Sequence, residues 1–106
     1  IFLWTGLAMA HPDFNKLADA VYKAEGGKRA SRPFGILSVD CNSYDSCRNI
    51  CLNTIRNTYA RYQQQHVRHQ DFISFLGRRY APIGALNDKH NLNANWERNV
   101  RWFYAH

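Results

Sequence analysis

The chain has 106 residues, enough for one domain with a modest core and too few for two. Hydrophobic residues make up 45% and aromatics 14%, which excludes a disordered composition, and no apolar run reaches the roughly eighteen residues a membrane-spanning helix needs. The net charge of +6 points to an anionic partner: nucleic acid, a membrane surface or a cell-wall polymer.

Residues 1–10, IFLWTGLAMA, are apolar and uncharged and close on Ala8-Met9-Ala10. This is the pattern of a secretory h-region ending in a small-x-small cleavage site. The other reading is an N-terminal strand or helix of the domain. On the first reading, 1–10 is a signal remnant and 11–106 a single domain exported to the periplasm or outside the cell. Export shifts the expected anionic partner from nucleic acid to the wall or the membrane.

The remaining pattern is helical almost throughout, so we expect an all-α fold with room for a short strand or hairpin near 34–39. Phe14, Leu17, Ala18, Val21 and Tyr22 follow helical spacing, with Pro12 and Asp13 suited to the start. Gly26 suits the position just past the end, so this helix should stop near Glu25. Residues 28–42 read as a loop. A second helix should run from Ser43 or Tyr44 to Gln64, with Cys47, Cys51, Ile55, Thr58, Tyr59 and Tyr62 on one stripe. QQQHVRHQ then reads as a polar linker. A third helix, capped by Asp71, carries Phe72, Phe75, Leu76 and Arg79 or Tyr80 on its face and ends before Pro82. APIGALNDKHNLNA is a loop by its Pro, Gly and Asx content. A last helix begins near Asn93 or Asn95, with Trp96, Val100 and Phe103 as its apolar stripe and Asn99 on the same side.

Three cysteines fall within CNSYDSCRNIC. Cys47 and Cys51 are four apart on one helix face, where disulfide geometry is poor, so Cys41 should pair with Cys47 or with Cys51. The spacing C-x5-C-x3-C matches no common zinc pattern and lacks a fourth ligand. We expect no metal and no cofactor. The five histidines fall at termini or in polar loops and should be surface residues.

One acid stands out. At 100° per residue Glu25 lies within about 20° of Phe14 and Ala18 and about 40° from Val21, so it projects from the apolar face of its helix. Burial there disfavours the charged form, and so does the negative end of the helix dipole. A carboxyl held protonated near neutral pH is what a general acid needs to protonate a glycosidic oxygen.

The surroundings add a resemblance. Glu25-Gly26-Gly27, a short loop, and Gly35-Ile36-Leu37-Ser38 resemble the signature of the lysozyme-like superfamily. There a helix ends in Glu-Ser-Gly-Gly or a relative and a Gly-hydrophobic-hydrophobic-Gln turn follows. In this chain Gly26 stands in place of the Ser and Ser38 in place of the Gln. DFISFLGRRYAPIGALNDKHNLNANWERNVRWF resembles the C-terminal part of small bacterial proteins of this group. The resemblance covers most of residues 12–104. It implies a lysozyme-like domain, a monomer acting on peptidoglycan glycan strands, with Glu25 protonating the bond between N-acetylmuramic acid and N-acetylglucosamine. In the lytic transglycosylase version the same residue then acts as base while the muramyl C6 hydroxyl closes an anhydro ring, so no second carboxylate is needed. For hydrolysis, Asp40 or Asp45 would have to supply one. The resemblance further implies substrate contacts at Phe34 and Gly35, at Ser38 in the slot of the family's Gln, and at Tyr80 as a cleft tyrosine bonded to the glutamate. Phe34 has the alternative of packing under the loop, Tyr80 that of a core tyrosine, and Trp96 reads as core.

Two other readings stay open. Arg48, Arg56, Arg61 and Arg68, with Tyr59 and Tyr62, would make a basic, aromatic-interleaved surface for nucleic acid, although a signal-like N-terminus argues against such a partner. A lysozyme-like domain that binds glycan without cutting it, or serves as a structural element of a secretion machine, is the other.

Overall fold

A computed structural model describes residues 11–65, 70–80 and 93–106. The signal-like segment 1–10, part of the linker and the 81–92 loop lie outside the described residues. The fold is all-α. Its helices are α1 (Phe14–Ala24), α2 (Tyr44–Gln65), α3 (Phe72–Tyr80) and α4 (Asn93–Ala105), with two short 3₁₀ turns, Gly27–Arg29 and Pro33–Gly35, between α1 and α2. Residues 34–39 form no strand.

The starts of α1, α2 and α3 have side-chain caps. Asp13 accepts from the Lys16 N–H at 3.0 Å, and Asp71 accepts from the Ser74 N–H at 3.0 Å. Before α2, Ser43 Oγ accepts from the Ser46 N–H at 3.1 Å while Ser46 Oγ accepts from the Ser43 N–H at 3.0 Å. This is a reciprocal capping box with serine in both places. A Cys41–Cys47 disulfide, with Cα atoms 4.5 Å apart, ties the incoming loop to the first turn of α2. Cys51 remains a buried thiol.

The core gathers Leu17, Ala18, Ala20 and Val21 from α1, Cys47, Cys51, Leu52 and Ile55 from α2, Phe72 and Leu76 from α3, and Trp96 and Val100 from α4. α1 packs most extensively on α4, so the first and last described helices are neighbours. Asn99, read onto the apolar stripe, is exposed. An aromatic chain of Phe14, Tyr59, Phe72 and Tyr62 seals one side of α2, with neighbouring ring centroids 5.1–5.5 Å apart. There the Tyr62 hydroxyl donates to the Gln70 carbonyl at 2.7 Å.

α3 meets α4 where Gly77 faces Trp96. A Cβ at Gly77 would sit 3.5 Å from the indole carbons, an ordinary van der Waals contact. Glycine inside a helix is about 0.5–1 kcal/mol less favourable than alanine. Gly77→Ala should therefore stabilise the fold by about that amount, measured by urea unfolding. A loss of stability instead would mean that α3 needs a closer approach than this packing allows.

Candidate active site

Glu25 caps the C-terminus of α1. Its N–H still donates to Val21 O at 2.9 Å, and Gly26 then turns left-handed at φ +111°. The side chain thus leaves the helix on its apolar face, as the spacing predicts, and is half-buried.

The loop returns to this carboxyl through the Pro33–Gly35 turn. Gly35 N–H donates to Arg32 O at 2.9 Å and Ile36 N–H to Pro33 O at 3.2 Å. Two successive residues, Phe34 (φ +60°) and Gly35 (φ +69°), adopt the left-handed region. For phenylalanine this costs about 1–2 kcal/mol. The ring offsets that by complete burial, worth about 1.5–3 kcal/mol, against Tyr22 and Tyr44, with centroids 5.0 and 5.6 Å away. Phe34 is therefore an anchor for the turn. Its ring is 0% exposed, so the expectation that a sugar stacks on it is corrected.

Gly35 is what the anchored turn delivers. A Cβ there would lie 2.7–2.9 Å from the three carboxyl atoms of Glu25. Only glycine lets the backbone reach the acid so closely. On another side, Trp96 Nε1–H donates to Glu25 Oε2 at 2.8 Å, across 71 residues of sequence. Trp96 is core, as its spacing indicates, but it is also the glutamate's hydrogen-bond donor, which the sequence reading missed.

Tyr80 lies in the same neighbourhood. Its ring stacks on Trp96 at 5.3 Å and 19°. Its hydroxyl lies beside the Cys51 thiol and near enough to Glu25 to feel its charge, but among the described residues no hydrogen bond joins it to the glutamate, as the family pattern would have it. Burial, the Cys51 contact and the nearby Glu25 charge push the Tyr80 hydroxyl far up. Burial pushes the Cys51 thiol up to about 11, so the pair stays neutral. Ser38 is exposed, and its Oγ accepts the Asp40 N–H at 3.2 Å in a local turn. Asp40 and Asp45 are exposed. Among the described residues no cluster of His, Cys, Asp and Glu is arranged to hold a metal.

Burial raises the Glu25 carboxyl above its ordinary 4.5, and the Trp96 hydrogen bond, which favours the ionised form, offsets this only in part. The folded chain therefore binds this proton more tightly than the unfolded chain. The associated stability is complete below about pH 4.5 and is lost as pH rises through the raised folded value. Glu25→Gln, neutral at every pH, should be more stable than wild type at about pH 8, and its advantage should shrink toward about pH 4. Thermal unfolding across that range measures it. A pH-independent difference would mean that the carboxyl is not desolvated.

Comparison with models of known families, with curated proteins and with solved structures finds no match to this chain in any of the three.

Proposed function

We propose that this chain cleaves the glycan strands of peptidoglycan, with Glu25 as general acid and then general base. The carrying observation is the carboxyl itself. Burial raises its proton affinity against the smaller opposing effect of the Trp96 N–H, and the close approach of Gly35 together with that donor defines its orientation.

The chemistry follows from what each partner can do. The indole N–H only donates, so Oε2 must accept, and the transferable proton belongs on Oε1. Oε1–H gives its proton to the glycosidic oxygen as the bond to the muramyl anomeric carbon breaks. The carboxylate left behind is stabilised by the same Trp96 N–H. It then accepts the proton of the muramyl C6 hydroxyl as that oxygen closes on the anomeric carbon, which restores the acid. This cycle asks for no second carboxylate, and Asp40 and Asp45, the candidates for one in hydrolysis, are both exposed. The Cys41–Cys47 disulfide suits an oxidising, extracytoplasmic setting, in keeping with a wall substrate.

The test is release of soluble muropeptides from purified sacculi. Wild type should yield products with anhydro ends, one water lighter than hydrolytic ones. Glu25→Gln should slow release by about 100-fold or more, the scale of a lost general acid. Equal release by both proteins refutes the role of Glu25. Sacculus binding without products would leave a glycan-binding module.

A further inference from the structure

Beyond the Glu25 site, the seam between the C-terminal half of α2 and α3 opens into a cavity of about 420 Å³. Thr58, Arg61, Gln65, Phe75, Arg78 and Arg79 line it. Three arginines line it, and among the described residues no acid does. Among the described residues the ion pairs engage Arg48 and Arg101 instead, with Asp19, Asp71 and Glu97. Arg61 is oriented from below: its Nη2 donates at 3.2 Å to Oγ1 of the buried Thr58. Phe75, half-buried against Tyr62 at 5.2 Å, supplies an apolar wall. Like charges that share a cavity repel one another, an anion between them relieves that repulsion, and the guanidinium fork matches the two oxygens of a carboxylate.

The position of the cavity relates it to Glu25. Arg79 directly precedes Tyr80, whose ring stacks on Trp96, the donor to Glu25. Along α2, Thr58 lies seven residues past Cys51, whose thiol neighbours the Tyr80 hydroxyl, a rise of about 10 Å. An extended peptide crosses that distance in about three residues.

We propose that this cavity binds the free carboxylates of the peptide stems carried by the glycan strand, an inference that rests on the reading of Glu25 as a glycan-cleaving acid. A localised groove with an apolar wall suits a short peptide better than a nucleic-acid backbone, which calls for an extended basic stripe. The surface first suggested for nucleic acid is also dispersed. Arg48 is bound to Asp19 at 2.5 Å, Tyr59 and Tyr62 are packed in the aromatic chain, and Arg68 lies outside the described residues.

The experiment is calorimetric titration of the full chain with a soluble stem peptide bearing free carboxylates, and with the same peptide amidated at each carboxylate. The free acid should bind at least about tenfold more tightly than the amide. Arg78→Gln combined with Arg79→Gln should weaken it by a similar factor, and Arg78→Lys with Arg79→Lys should fall between. Equal binding of the two peptides, or an unaffected Gln variant, overturns the proposal. So does displacement of the peptide by a single-stranded oligonucleotide or a glycerol phosphate polymer at lower concentration. Sacculus cleavage by the same preparations separates the two readings. Cleavage without acid-selective peptide binding removes the cavity's role alone. Acid-selective binding without cleavage removes the role of Glu25 and leaves the cavity's.

Discussion

The Trp96–Glu25 hydrogen bond is the contact on which the arrangement turns. It joins the end of α1 to the first turns of α4 at 2.8 Å, and those two helices share the most extensive packing in the fold. Its geometry is over-determined. The indole is wedged between Tyr80 and Gly77, and the glutamate backbone is fixed by the last helical hydrogen bond of α1. The indole cannot turn away without opening the core. The carboxyl is therefore held at one place and in one orientation, as a group that transfers a proton in a defined direction must be.

Two features of this neighbourhood oppose stability. Glu25 is desolvated, with one neutral donor as its recorded hydrogen-bond partner, and Phe34 occupies a backbone region that phenylalanine avoids. A glutamine would fill the first position without the ionisation penalty, and a glycine would relax the second. Both costs converge on one carboxyl, because the strained turn is what places Gly35 against it. Strain and unfavourable burial thus meet at one titratable group, the combination on which the proposed function rests.

The helices and their caps were legible because they are local. Periodicity at 3.6 residues, Asp13 and Asp71 as N-caps, and Gly26 past the end of α1 all depend on neighbours within a turn or two. The direction of Glu25 was legible for the same reason. Its donor was not, because a tryptophan on an apolar stripe looks identical whether its N–H is idle or bonded to an acid 71 residues away. Phe34 misled because an aromatic beside Pro33 in a polar loop has the composition of a surface platform. The left-handed turn that buries it follows from packing on Tyr22 and Tyr44. Arg61 sits on α2 and Arg78 and Arg79 on α3, so the three line one cavity only once those helices meet.

The neutrality of Cys51 and Tyr80 bears on the single-acid cycle proposed for Glu25. Both groups lie near enough to feel the charge of Glu25, and both are pushed toward their protonated forms. Neither can take the proton in place of the glutamate near neutral pH. A tyrosinate or thiolate in that position would have stabilised the protonated acid further and slowed its donation. With the pair neutral, the proton affinity of Glu25 is left to burial, which raises it, and to Trp96, which restrains it. Those two influences act in opposite directions on one group, and their balance keeps the carboxyl able both to release a proton and to take one back.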